Sequence, residues 1–223
     1  MAALDKVIVE TSASTTHSVI WLHGLGADGH DFEPVVPELG LPEQPGVRFV
    51  FPHATVRPVT LNGGMSMRAW FDILSLDRTG PVDEAGIMQS VTEIEALIAA
   101  ELADGRSAAQ IILAGFSQGG VIALHTALRY PVRLGGVMAL STYLPLHDKL
   151  AAAATDANQD LPVFLAHGQA DPVLTFDLGE RVRDWLREHN YPLEWHAYPM
   201  AHQVCLEELQ HIGKWLRRVQ ATD

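Results

Sequence analysis

Cysteine is almost missing from this chain: among 223 residues only Cys205 carries a thiol. No disulfide can close within the chain, so a secreted scaffold held by bridges is excluded, as is a zinc site built on paired cysteines. Cys205 reads as a small buried hydrophobe. There is no His-Glu-x-x-His pair either, and neither a metal nor a cofactor is expected. Positive charge is scarce. Fifteen Lys and Arg against 27 Asp and Glu leave a formal charge of −12, a field that repels nucleic-acid phosphates and anionic lipid, so neither nucleic acid nor membrane is an expected partner. No run approaches the ~18 apolar residues that a membrane span needs. The first fourteen residues hold Asp5 and Glu10 where a signal peptide needs an apolar stretch. A cytoplasmic protein is the resulting expectation.

What the chain has in plenty is apolar residues, 48% of the total. A chain of this length buries about 70–75% of the surface its unfolded form exposes, enough for one domain over residues 1–223. Residues 18–23 (SVIWLH), 47–52 (VRFVFP), 110–116 (QIILAGF), 135–140 (GGVMAL), 163–167 (VFLAH) and 193–198 (LEWHAY) read as short strands, mostly apolar on both faces, as in a sheet covered on both sides. Helical patterns over 83–102, 119–129, 176–189 and 204–219 alternate with them. Such alternation implies an α/β fold with a mainly parallel sheet, in which functional groups gather at the carboxyl ends of the strands. Two stretches break the rhythm. Residues 53–81 read as a long connection, too apolar for a solvated linker, and 151–160 as a short surface helix and loop.

Gly115-Phe116-Ser117-Gln118-Gly119 follows a buried strand and opens a helix, the setting of a nucleophile elbow. With nine Ser and 18 Gly, about 0.06 chance occurrences of Gly-x-Ser-x-Gly are expected before that setting is required. The glycines answer crowding: strand and helix meet at a sharp turn, and side chains at 115, 119 and 120 would collide.

A serine hydroxyl needs a base, and the base needs a group to orient it. Of the 11 histidines, His202 lies on the loop between the last strand and the last helix, where it can reach Ser117. The other histidines read as structural. Asp171 lies on the loop after the preceding strand and Asp177, its rival, inside a helix. Ser117, Asp171 and His202 then follow in the chain order of α/β-hydrolases. The oxyanion of an attacked carbonyl needs backbone donors, and Gln118 and Leu25 are the candidates. Leu25 lies in Gly24-Leu25-Gly26-Ala27-Asp28-Gly29, which also spells Gly-x-Gly-x-x-Gly, so a dinucleotide-binding oxidoreductase is the competing reading and a non-catalytic binding module a third. Against the dinucleotide stand the lack of any Asp or Glu in 45–67, the charge of Asp28, and Pro34 and Pro37 in the next helix.

These residues resemble a known family. His23-Gly24-Leu25-Gly26, Arg57-Pro58-Val59-Thr60, Trp70-Phe71-Asp72-Ile73, Gly115-Phe116-Ser117-Gln118-Gly119-Gly120 and the Asp171 and His202 loops are similar to the small carboxylesterases and acyl-protein thioesterases of the α/β-hydrolase superfamily, the phospholipase/carboxylesterase group, and most of all to its bacterial members. The resemblance implies an α/β-hydrolase fold with helices on both faces of the sheet and no large cap domain. It also implies cleavage of small-molecule esters or thioesters by a Ser-His-Asp triad without cofactor, and a possible homodimer. Arg68-Ala69 and Ala201 depart from its pattern, the former beside the loop 60–74, whose Leu61, Met65, Trp70 and Phe71 are candidates for an acyl groove or, for the two aromatics, a satellite core. With no insertion longer than ~25 residues among the last strands, a cap has no room and the site should be open.

Overall fold

The computed structural model describes residues 4–75 and 80–221; residues 76–79 of the expected long connection, like the two chain ends of the 1–223 span, lie outside them. The elements run β1 (Lys6–Glu10), β2 (Thr15–Leu22), β3 (Gly46–Pro52), β4 (Val56–Val59), β5 (Met65–Arg68), α1 (Glu84–Ala103), β6 (Ile111–Phe116), α2 (Gln118–Arg129), β7 (Gly136–Leu140), α3 (His147–Ala153), β8 (Val163–Gly168), α4 (Phe176–Glu188), β9 (Leu193–Tyr198) and α5 (Leu206–Gln220). Seven strands form one sheet in the order β1-β3-β2-β6-β7-β8-β9. It is parallel apart from β1, which pairs antiparallel with β3.

The all-apolar strands serve two cores. Along β2, Ile20 and Leu22 enter the core filled by Ile87 and Val91 of α1, Val121 and Leu124 of α2 and Val182 of α4. Val19 and Trp21 enter the one filled by Phe32, Val36 and Ile212, Trp215 and Leu216 of α5. A period of two in a strand buried on both faces gives this division without any polar residue to mark it.

Chain order reverses at β2, whose neighbours are β3 on one side and β6 on the other. In an open α/β sheet the crevice beyond the carboxyl ends of such a pair is where ligands bind. Leu22 and Gly115 are partners across it, so the loops that leave β2 and β6 lie side by side.

Each expected strand and helix is present, with ends shifted by a few residues. Three stretches depart from expectation. β1 is a strand that the sequence reading did not include, a one-sided edge strand that alternates exposed and half-buried residues. Residues 53–81 are not a bare loop: β4 and β5 pair antiparallel within them, Val59 opposite Met65. Gly63 (φ 66°) and Gly64 (φ 81°) take the left-handed turn that a side chain would strain. In the second irregular stretch Asn158 is fully buried rather than at the surface, where it accepts from the Leu134 N–H and donates to the Tyr130 carbonyl. Among the described residues no helix is long and apolar enough to cross a membrane.

Candidate active site

Ser117 joins β6 to α2 with φ 53° and ψ −117°, a conformation that non-glycine residues rarely adopt and that surrounding contacts must hold. Its N–H donates to the Leu140 carbonyl (2.9 Å), and its own carbonyl accepts from the Thr142 hydroxyl (2.7 Å). The crowding expected of the glycines is met. A Cβ on Gly115 would lie 2.2 Å from the Gly119 carbonyl, one on Gly119 2.4 Å from the Leu22 carbonyl, and one on Gly120 2.7 Å from Thr142 Cβ. Gln118 opens α2, where backbone N–H groups have no partner a turn earlier and the helix dipole favours negative charge.

On the far side of the crevice, His202 Nδ1 lies 2.6 Å from Asp171 Oδ2. A carboxylate only accepts, so Nδ1 carries a proton, and in the neutral ring Nε2 is left as an acceptor. The other Asp171 oxygen accepts from the N–H groups of Val173 (2.8 Å) and Leu174 (2.9 Å), which fixes the carboxylate's angle. Asp177 is exposed and bonded to the Thr175 hydroxyl (2.6 Å), away from His202. The His202 ring packs 4.8 Å from that of Phe116, the residue before Ser117. His167 stands behind Asp171, donating from Nε2 to the Leu174 carbonyl (2.8 Å); burial holds its pKa down, so it stays neutral.

The loop 23–29 comes up against Ser117: a Cβ on Gly24 would sit 3.5 Å from Ser117 Cβ. His23 Nε2 accepts the Ala54 N–H (3.0 Å), so its Nδ1 carries the proton and donates to the Gly24 carbonyl (2.7 Å). Burial lowers the His23 pKa to about 4, against the opposing pull of the Gly24 carbonyl. With the Gly24 carbonyl turned toward His23, the N–H of Leu25 in the same trans peptide points the other way. Further along, the Gly29 N–H donates to His53 Nδ1 (2.9 Å). The dinucleotide reading is corrected here. The segment that follows is a 3-10 turn, Glu33–Leu39, carrying Pro37 inside it, so no α-helix N-terminus faces these glycines. Gly29 is required for packing: a Cβ there would meet the Phe51 carbonyl at 2.3 Å.

The four candidates for an acyl groove separate. Trp70 and Phe71 are 0% and 1% exposed, built into the core beneath the loops, and cannot line an open groove. Leu61 is half-buried, and Met65 is 66% exposed at the hairpin tip. Trp70 is aromatic and follows a glycine-rich turn, and nothing in that local pattern separates a groove wall from a buried brace. Among the described residues an open cavity lies elsewhere. About 550 Å³ is bounded by Tyr143, Leu144 and Leu146 after β7 and by Leu178, Val182 and Trp185 of α4. Tyr143 adjoins Thr142, whose hydroxyl holds the Ser117 carbonyl. The neutral, buried His125 braces this wall through the Pro145 carbonyl (2.9 Å), its pKa lowered by burial to about 4. Cys205, expected in the core, is half-buried at the start of α5.

A serine on a strained strand-to-helix turn at the switch point of a mostly parallel sheet, with an Asp-bound histidine on the last strand-to-helix loop, is the layout of an α/β-hydrolase. The model of the phospholipase/carboxylesterase family matches residues 4–220, and the chain belongs to that family of hydrolases. It is 40% identical to acyl-protein thioesterase 1 of Mycosarcoma maydis over 98% of each chain. The crystal structure of Arabidopsis thaliana SOBER1 superposes with a TM-score of 0.86 at 30% identity, over 93% of this chain and all of that one. Zea mays acyl-protein thioesterase 2 does so with 0.86 at 29%, over 96% and 98%. These three relatives are eukaryotic, whereas the sequence resemblance points to bacterial members.

Proposed function

We propose that this hydrolase cleaves carboxylic esters of short to medium acyl chains, and acyl-thioesters, through an acyl-enzyme on Ser117. The observation that carries the reading is the pairing of the Ser117 turn with the 2.6 Å bond from His202 to Asp171, which leaves Nε2 free to take a proton. In this reading His202 Nε2 removes the Ser117 proton as Oγ attacks the acyl carbonyl. The N–H groups of Leu25 and Gln118 hold the oxyanion, and the Nδ1–H donated to Asp171 stabilises the imidazolium. Collapse of the tetrahedral intermediate breaks the bond to the leaving oxygen or sulfur, which departs with the proton from His202. Water, activated by the same histidine, then frees the acid. Alcohol and thiol leaving groups share this path, and the names of the fungal and maize relatives favour thioesters.

The cavity between Tyr143 and Trp185 is the proposed seat of the acyl chain, in place of the loop 60–74. It is apolar along its walls and ringed by His147, Arg181, Asp184 and Glu188. A panel of nitrophenyl esters of rising chain length, run beside matched acyl-thioesters, tests the reading: both series should turn over in the native protein and neither in Ser117→Ala. Turnover that survives Ser117→Ala contradicts the mechanism. Absence of turnover of both series by the native protein contradicts the reading as well.

A further inference from the structure

The two proposed oxyanion donors come from loops far apart in sequence, yet their residues are joined by one buried chain of hydrogen bonds. The Gln118 side chain turns back from α2, its Oε1 accepting the Trp70 N–H (2.9 Å) and its Nε2 donating to the Phe71 carbonyl (2.7 Å). The indole Nε1–H of Trp70 donates to the His23 carbonyl (2.9 Å). The His23 ring, 5.3 Å from the indole, grips the Gly24 carbonyl (2.7 Å), the other half of the peptide that carries the Leu25 N–H. Ser90 of α1 donates its hydroxyl to the Trp70 carbonyl, and the Ala54 N–H donates to His23 Nε2 (3.0 Å). Gln118, Trp70 and His23 are 2%, 0% and 1% exposed, so a lost link leaves its partner unpaired away from bulk solvent.

We propose that Gln118, Trp70 and His23 form a strut that fixes the distance and angle between the two oxyanion donors, with Trp70 as its central positioning residue. Three features support this. Both ends of the chain are the donor residues or their immediate neighbours. Apart from the local grip of His23 on the Gly24 carbonyl, the bonds to backbone run across elements and not along them, so they set separation and not merely local shape. And the carbonyl that receives the indole is pressed against the elbow, since a Cβ on Gly119 would lie 2.7 Å from the His23 carbonyl oxygen. An oxyanion hole works only when its donors stand 2.7–3.1 Å from where charge develops, and a shift of about 1 Å costs on the order of 100-fold in rate. The proposal rests on Leu25 and Gln118 being those donors. It also gives the Trp70-Phe71 segment a task that neither the groove nor simple core filling supplies.

Trp70→Phe removes the indole N–H while keeping most of the ring, and Gln118→Met removes both side-chain bonds at similar length without touching the Gln118 backbone N–H. In each variant that keeps a cooperative thermal transition, kcat should fall about 10- to 100-fold with KM within about threefold of native. Affinity for a trifluoromethyl ketone, which forms the tetrahedral adduct on the serine, should fall by the same factor as kcat/KM, while affinity for the matching carbonyl-free ether stays level. Native kcat in either folded variant overturns the strut, and so does a loss confined to KM that grows with acyl length, the signature of a groove. Should Trp70→Phe not fold, Gln118→Met decides alone; should both fail, the ratio of ketone to ether affinity in His23→Asn decides, an unchanged ratio overturning the proposal. Inactivity of the native protein, or activity in Ser117→Ala, would break the esterase reading first and is separately visible.

Discussion

Ser117 and Trp70 occupy the same small region and are held there in opposite ways. The Ser117 turn is dictated by its immediate neighbours: glycines at 115, 119 and 120 let β6 and α2 meet, and any Cβ there would stand under 3 Å from backbone or Thr142. Trp70 is fixed by partners 47 and 48 residues away, the His23 carbonyl and the Gln118 side chain. One arrangement is written in six consecutive residues, 115–120, and the other only in the folded protein. A site can therefore carry its chemistry on a local motif while the accuracy of that chemistry is set by remote contacts.

The comparison breaks most sharply at the acid. Asp171→Asn keeps the two backbone N–H bonds to one oxygen but cannot hold the Nδ1–H of His202 in the same way, so kcat should drop roughly 10³- to 10⁴-fold with little change in melting temperature. Asp177→Asn should leave kcat within about twofold, the exposed carboxylate holding the Thr175 hydroxyl and an exposed ion pair with Arg181. Steady-state kinetics beside a thermal melt read both, and the reverse ranking would reassign the acid.

Trp70→Ala comes next. Removing a fully buried indole and its bond should cost about 3–5 kcal/mol in denaturant unfolding, against less than about 0.5 kcal/mol for Met65→Ala at the exposed hairpin tip. Equal losses would mean that the hairpin tip, and not the buried segment, anchors the loop.

A smaller effect separates buried histidines from a buried acid through pH. His23 and His125 titrate near 4 in the fold because burial disfavours their charged forms, while the unfolded chain binds the proton near 6.5. The folded state thus holds fewer protons in that window, and stability is lost as pH falls from about 6.5 toward 4, on the order of 3 kcal/mol per residue. Glu208 behaves oppositely: burial raises its pKa to about 8 from 4.5, the folded state keeps a proton that the unfolded chain releases, and stability drains as pH rises through that range. Melting temperature should therefore peak near pH 6.5. Glu208→Gln should abolish the decline between 6.5 and 8, and His125→Gln should weaken the acid limb; a profile that neither variant alters would show that other groups carry it.

The least effect is expected along the acyl chain. In a cavity open on one side each methylene gains at most about 0.8 kcal/mol, up to about fourfold in kcat/KM, and the gain should end when the chain outruns the space between Tyr143 and Trp185. Val182→Trp should shorten the chain length at which the gain ends, measured with the ester panel, while Leu61→Ala should leave it in place.

Much of this molecule was legible beforehand, and the pattern of what was not is physical. Strands buried on both faces and amphipathic helices announce themselves by period, which placed β2, β6, β8 and β9 and with them the loops of Leu25, Ser117, Asp171 and His202. The β4–β5 hairpin was legible in part, since Asn62-Gly63-Gly64 is a turn signal, but Arg57 and Pro58 made its first strand read as loop. β1 is too short and too polar to stand out. For Trp70 and Phe71 the sequence leaves groove and satellite core open, because burial of an aromatic after a glycine turn depends on Gln118 and Ser90, which no local pattern brings to it. The cavity at Tyr143 was missed for the same reason: its walls come from a loop and a helix separated by β8. His23 read as a structural histidine at a strand end, and its grip on Gly24 needed the Ala54 N–H to be seen.

The central claim, that Ser117 is the nucleophile of this hydrolase, is tested most directly by intact-mass spectrometry after treatment with a fluorophosphonate. The account predicts a single added phosphonyl group on the native protein, mapped by peptide fragmentation to Ser117, and none on Ser117→Ala. A native protein that gains no mass, or a label that persists in Ser117→Ala, would contradict it.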